Sequence, residues 1–217
     1  MSLEDCLFNR LMEEQDAYEP FMRAIETVFS AKKFTVGHPP LVHTVKSRLK
    51  SEASIRDKIQ RKIKAGVELT ADNVFDEVAD YAGVRVLHLH NGQFQKIHEH
   101  FTEYVNSHYF LDGSPEAYSW DSNLSSFYQG LGIKSKVKES YYTSVHYTVR
   151  PRSSTYVRCE IQIRTLFEEI WGEIDHTINY PYQCESDQIR EQLRAFSKLV
   201  ACGSTLASGI LMAQAGE

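Results

Sequence analysis

A chain of 217 residues, 42% hydrophobic and 24% charged, has the composition of a globular protein with one sizeable core. Its net charge of −5 gives no global reason to expect nucleic-acid binding, and Cys6, Cys159, Cys184 and Cys202 form no CxxC pair, which argues against a disulfide framework or zinc ribbon and for reduced thiols in a cytoplasmic protein. The first residues hold no basic-then-apolar leader, and the one long uncharged run, Leu199 to Ala215, is diluted by Gly203, Ser204, Ser208, Gly209 and Gln214, so no membrane span is expected.

Residues 4–30 read as a helical arm ended before Gly37 and the Pro39-Pro40 pair. Residues 46–64 then reverse the global charge, with eight basic residues (Lys46, Arg48, Lys50, Arg56, Lys58, Arg61, Lys62 and Lys64) against Glu52 and Asp57. Such a segment suits a polyanion such as a nucleoside triphosphate, although the same pattern also describes a solvated helix face. Ile55, Ile59 and Ile63 mark a helix with Ser54 as its expected cap and Gly66 as its stop, and Lys58 and Arg61 face the same way on it. A short helix is expected over 71–81, a strand over Val84–Leu89, and a helix over Asn91–His108 with Phe94, Ile97, Phe101 and Val105 inward. Residues 111–140 read mostly as loop, with Tyr118 and Trp120 in a short strand.

The most informative stretch is Cys159-Glu160-Ile161-Gln162-Ile163-Arg164-Thr165. Strict alternation sends Cys159, Ile161 and Ile163 to a core and Glu160, Gln162 and Arg164 to the opposite face, with Arg158 extending the polar row. Ser144–Arg150 repeats the pattern, and a turn over Pro151–Thr155 would join the two as an antiparallel hairpin with Ser144, His146, Thr148 and Arg150 beside Glu160. By itself this is either a site-bearing hairpin or a hairpin with one solvated face. Thr165 and Glu168 form a capping box for a helix striped by Leu166, Ile170, Ile174 and Ile178 and stopped by Pro181, and a last helix starts near Ser186. The predicted fold is α+β, a mixed sheet flanked by helices, divided into a helical arm (1–38), a central domain (39–182) and a C-terminal helical extension (183–217).

Four segments occur in one order: Arg48 to Arg61, Asp80-Tyr81-Ala82-Gly83-Val84-Arg85, Tyr142-Thr143-Ser144-Val145-His146 and Glu160 to Thr165. This order resembles the synthetase domain of the RelA/SpoT family, especially the small alarmone synthetases, over roughly residues 40–180. Trp171-Gly172-Glu173-Ile174-Asp175-His176 also looks like the family's Trp-Ala-x-x-Glu-His segment. No hydrolase-type His-Asp motif precedes the domain. The resemblance implies a nucleotidyltransferase-like sheet and transfer of pyrophosphate from ATP to the 3′-hydroxyl of GDP or GTP, giving (p)ppGpp without hydrolysis. It implies that Arg48 and Arg85 sandwich the adenine, that Lys50, Ser54, Lys58 and Arg61 hold the triphosphate, and that Asp80 binds magnesium. It further implies that Glu160 accepts the hydroxyl proton or shares the metal, that Gln162 orients it, that Tyr142 stacks on the acceptor base, and that His146 and Lys138 lie near the acceptor.

One departure stands out. Where many relatives carry Pro-Lys-x-Asn-Gly before the stacking tyrosine, this chain has Val137-Lys138-Glu139-Ser140-Tyr141, placing Tyr141 at the glycine position. Toxin-type relatives that modify the tRNA 3′ end or adenine nucleotides are therefore an alternative, and a catalytically inactive nucleotide-binding module is another. Self-association through the uncharged C-terminal helix is also expected.

Overall fold

The computed structural model describes residues 2–154, 156–180 and 182–215, so Thr155 of the expected turn, Pro181 as a helix stop and the last two residues lie outside the described part. Two helices, α1 (Leu3–Met12) and α2 (Gln15–Val28), and the single turn α3 (Lys32–Thr35) lead into strand β1 (Thr44–Leu49). Helix α4 (Glu52–Lys64) and the turn α5 (Val74–Glu77) precede β2 (Ala82–His88), and a 3-10 turn at Asn91–Gln93 opens α6 (Phe94–His108). Then come β3 (Phe110–Leu111), β4 (Glu116–Tyr118), α7 (Ser122–Gly130), β5 (Lys134–Lys136), β6 (Ser144–Arg150), β7 (Cys159–Thr165), α8 (Leu166–Asn179) and α9 (Asp187–Ala215).

The strands form one seven-stranded sheet in the order β1-β2-β7-β6-β4-β5, with β3 sharing an edge of β6. It is mixed: β2 runs parallel to β7 and β4 to β5, while β6 and β7 make the expected antiparallel hairpin. Strand register decides which polar residues meet. Arg48 lies opposite Gly83, Gly83 opposite Glu160, and Glu160 opposite Thr148, while Arg85, Gln162 and His146 form the next row. Since side chains alternate across a strand, these two rows share one face of the sheet.

The other face is the core. Helix α2 buries Tyr18, Phe21, Met22, Ile25 and Val28, and α6 buries Phe94, Ile97, Phe101 and Val105 as its spacing predicts. Phe101 stacks on Phe29 with centroids 5.1 Å apart and meets Tyr147 of β6 edge-on at 5.2 Å. Leu7, Leu11 and the buried residues of α2 belong to the same apolar cluster as the strand residues Val84, Val86, Ile161 and Ile163.

Several sequence expectations are corrected. The cap of α4 is Ser51, whose Oγ accepts the Ser54 N–H at 3.3 Å, so Ser54 lies inside the first turn. The basic segment before it is strand β1, hidden in the sequence because its outward positions carry Lys46 and Arg48. Residues 111–140 hold β3, β4, α7 and β5; Asp121 caps α7 by accepting from the backbone N–H of Asn123 and Leu124, and Trp120 lies beyond β4. On α8 the aliphatic stripe does not face inward: Ile170 and Ile174 are 54% and 41% exposed, whereas Glu168, Glu169 and Trp171 are buried. Of the two acids, Glu169 is drawn in by the cations it meets on the strands. Arg158 ends the polar row early, holding Asp76 and, at 2.7 Å, Asp112 instead of facing the cleft.

Candidate active site

A cleft of about 650 Å³ lies over the polar face of the sheet. Arg48, Lys50, Asp80, Arg85, Tyr142, Glu160 and Gln162, all singled out from the sequence, line it. Lys58 enters through Asp80, which accepts a hydrogen bond from its Nζ at 2.6 Å and another from Lys50. Burial pushes the Asp80 carboxyl up, but Lys58 and Lys50 more than offset this and hold it below the usual carboxylate range. Burial depresses the Lys58 ammonium in turn, and Asp80 only partly restores it.

Glu160 and Gln162 behave as the alternation of β7 requires. Gln162 Nε2 donates to Glu160 Oε2 at 2.7 Å, and His146 Nδ1 lies 3.3 Å from Glu160 Oε1. The Tyr142 hydroxyl lies 3.0 Å from His146 Nε2, so the imidazole bridges Tyr142 and Glu160 through its two ring nitrogens. Burial raises the Glu160 carboxyl, and the hydrogen bond and charge of His146 bring it back below its ordinary value. Lys138 sits over the rings of Tyr118 at 4.1 Å and Tyr142 at 4.6 Å, its ammonium depressed by burial. Tyr142, Tyr118, His146 and Lys138 thus build one aromatic and cationic corner.

Other expected residues are placed differently. Ser54 Oγ accepts from Tyr180, a lining residue of the cleft, at 3.1 Å. Arg61 lies outside the lining, pairing with Asp57 at 2.8 Å on the exposed side of α4. Arg56 similarly reaches Glu52, Asp5 and Glu4, and Lys62 holds Glu77, so much of the basic segment is structural. Arg48 makes no ion pair among the described residues and is exposed to the cleft. Arg85 is engaged by Glu169 at 3.0 Å and Glu173 at 2.6 Å.

Glu169 has no counterpart among the residues singled out from the sequence. It is 5% exposed and collects Lys46 at 3.1 Å, Arg85 at 3.0 Å and Arg164 at 2.6 Å, tying α8 to β1, β2 and β7. The spacing of two acids after a capping threonine is the available signal. Gly172 is equally specific: a Cβ there would lie 2.5 Å from Arg164 Nη1, so glycine leaves the room that this guanidinium fills.

The adjacent acid on α8 carries a different charge state. Burial pushes the Glu168 carboxyl up to about 7, above its ordinary 4.5, although Thr165 donates its N–H to Oε2 at 2.6 Å. A folded-state value above the unfolded one means the protein holds the proton more tightly when folded. Stability from this group is therefore full below about pH 4.5 and declines as pH rises through 7, by about 3 kcal/mol in all. Glu168→Gln keeps the capping hydrogen bond and removes the titration, so its melting temperature is expected to exceed that of the unchanged protein at pH 8 and to match it near pH 4.5. Scanning calorimetry at the two pH values checks this; equal melting temperatures at pH 8 would contradict it.

Residues 47–185 match the family described as the region found in RelA / SpoT proteins. GTP pyrophosphokinase YwaC of Bacillus subtilis is 29% identical over 179 residues, which cover 75% of this chain and 71% of that protein. The small alarmone synthetase 1 from Bacillus subtilis superposes with a TM-score of 0.67 at 21% identity, covering 95% of this chain and 96% of that one. Its structure bound to the product pppGpp gives the same TM-score at 20% identity and the same coverage. These structural likenesses establish the fold, and the match over 47–185 establishes that the chain belongs to the RelA/SpoT family.

Proposed function

We propose that this protein is a GTP pyrophosphokinase, transferring the β,γ-pyrophosphate of ATP to the 3′-hydroxyl of GDP or GTP to make (p)ppGpp. The observation that carries the reading is the convergence, in one cleft, of Lys50 and Lys58 on Asp80, of Gln162 and His146 on Glu160, and of Tyr142 on His146. The 29% identity to a GTP pyrophosphokinase supports it. In this reading residues 39–182 carry the chemistry, with helical flanks on either side, in a cytoplasmic enzyme.

Arg48 is free to stack on the adenine, and Arg85 completes the sandwich when it leaves Glu173. Lys50 and Lys58 pass from Asp80 to the triphosphate. Among the described residues no three His, Cys, Asp or Glu side chains group as a self-sufficient metal site, so an ion held by Asp80 and Glu160 would draw its remaining oxygen ligands from phosphate and water, as magnesium does. When bound, magnesium supplies charge neutralisation across the phosphates. The acceptor 3′-oxygen attacks the β-phosphorus, the bond to the α-phosphate oxygen breaks to release AMP, and Glu160, ionised at neutral pH, takes the hydroxyl proton. Tyr142 stacks on the acceptor base, with Lys138 and His146 beside its phosphates, while Ser54 at the start of α4 assists the triphosphate and Arg61 joins it only by leaving Asp57.

Helix α9 is long and apolar enough to cross a membrane by length and composition, with 17% of its apolar window buried. Its packing along α8 and the hydrogen bond from Trp171 to Leu193 at 2.9 Å favour a helix of the folded domain, and exposed Leu199, Leu206 and Ile210 favour a homo-oligomer. Incubation with labelled ATP and separate GDP, GTP, ATP and tRNA acceptors tests the function. Label is expected on GDP or GTP. Label on tRNA or an adenine nucleotide alone would transfer the assignment to the toxin-type reaction, and no label on any acceptor would indicate an inactive nucleotide-binding module.

A further inference from the structure

A second cavity, of about 440 Å³, lies between α9, α7 and the segment leading into β6, apart from the cleft in which transfer takes place. Its volume is that of a small-molecule site. Trp120, Phe127, Tyr141 and Trp171 supply aromatic walls, with the Trp120 and Tyr141 rings stacked 5.3 Å apart and inclined by 19°. Of the polar groups in the lining, Asp121, Ser197 and Ser208 are spent on the backbone, and others are not. Among the described residues, the side-chain amides of Asn91 and Asn123 make no hydrogen bond, and Glu168, only 7% exposed, has a partner for Oε2 and none for Oε1.

The lining also restricts the occupant. It contains no lysine or arginine, Arg194 and Lys198 reaching the Tyr141 ring from outside it, and the acids Asp121 and Glu168 would oppose an anion, so a phosphate group meets no counter-charge on the walls. Flat aromatic walls, two free amides and a carboxyl that can accept a donor match a planar heterocycle that both donates and accepts hydrogen bonds. We propose that this cavity binds an unphosphorylated nucleobase or nucleoside, and that its occupancy is communicated to the acceptor loop. The connection is physical. Ser197 of α9 donates to the Tyr141 carbonyl at 2.9 Å, Arg194 donates to the Glu139 carbonyl at 3.0 Å, and Tyr141 is held at φ +64°, a conformation that side-chain-bearing residues rarely adopt. Tyr142, the acceptor-stacking residue, follows directly.

Trp120 and Trp171, the two tryptophans of the chain, both line this cavity, so intrinsic fluorescence reports binding without reference to turnover. Adenosine, guanosine, inosine and cytidine, the free bases adenine, hypoxanthine and cytosine, and the 5′-monophosphates would be titrated into the protein, with and without a saturating non-hydrolysable ATP analogue and GDP. At least one nucleoside or base is expected to change the emission saturably with a dissociation constant below about 1 mM, shifted only a few-fold and not displaced when the cleft is occupied, and its monophosphate to bind at least about tenfold more weakly. Ala201→Phe, which fills the cavity from α9, should abolish the signal while preserving basal transfer, and Ser208→Phe provides a second filling variant should the first not fold. The bound ligand should also change the apparent KM for the acceptor at least about twofold, with little change in that for ATP. The proposal is overturned if no probe gives a saturable change, if the ATP analogue and GDP displace the signal, if a folded filling variant retains it, or if the acceptor KM does not move.

Discussion

Glu160→Gln is expected to lower pyrophosphate transfer by about 10²- to 10⁴-fold while a non-hydrolysable ATP analogue still binds within a few-fold of its original affinity. The substitution preserves the shape of the side chain and its neighbour Gln162, yet removes the charge that faces His146 at 3.3 Å. A neutral amide cannot accept the hydroxyl proton, and it is a weaker oxygen ligand for a hard cation. Because His146 holds the Glu160 carboxyl below its ordinary value, the group is ionised throughout the neutral range, and the unchanged enzyme should show no loss of rate from this residue until pH falls below the usual carboxylate range. Single-turnover kinetics with labelled ATP, paired with calorimetric titration of the analogue, separates chemistry from binding. Transfer within a few-fold of the original at saturating magnesium would remove Glu160 from the reaction.

Asp80→Asn should be nearly as severe for turnover, about 10²-fold or more, but with an opposite signature in binding. Asp80 neutralises both Lys50 and Lys58, so the triphosphate must compete with a carboxylate for the same two ammonium groups. Removing that carboxylate frees the lysines. The analogue without magnesium is therefore expected to bind the variant at least as tightly as the unchanged protein, while the gain that magnesium normally brings is lost. Without nucleotide the variant should melt earlier, since two poorly solvated cations are left facing each other, and the analogue should restore much of the difference. Weaker magnesium-free binding together with unchanged turnover would contradict the role assigned to Asp80.

The legible parts of the fold are those where one periodicity dominates. Cys159–Thr165 alternates without interruption, and both the hairpin register and the meeting of Glu160, Gln162 and His146 follow from it. Phe94, Ile97, Phe101 and Val105 repeat at helical spacing and are all buried. Reading fails where charge competes with pattern. In β1 the inward Val45 and Leu49 are outweighed by Lys46 and Arg48, with Lys50 just beyond its end, so a strand reads as a loose basic segment. In α8 the aliphatic stripe suggests the wrong buried face, because Arg164, Arg85 and Lys46 draw Glu169 inward from strands distant in sequence. Helix α7, Ser122–Gly130, is rich in residues of low helical preference and is secured by its Asp121 cap and the burial of Tyr128. For the candidate site, residue identities are readable and their state is not: nothing local announces that Arg85 is held by Glu169 and Glu173, or that Arg61 turns to Asp57.

The placement of Lys46 and Arg48 bears on more than nucleotide affinity. They stand on β1, an edge strand of the sheet whose outer side pairs with no other strand among the described residues, the place where a second extended chain could add. Two long cations beside that rim make docking of a second strand electrostatically and sterically unfavourable, so Lys46, which also holds Glu169, and Arg48, which the proposed function sets against the adenine, would oppose edge-to-edge association as well. Neutralising both with aliphatic residues would leave the rim with apolar neighbours on each side and no charge to repel a second copy. On the proposed role of Arg48, colloidal behaviour and nucleotide binding would then draw on one residue, and a change that suits one would constrain the other.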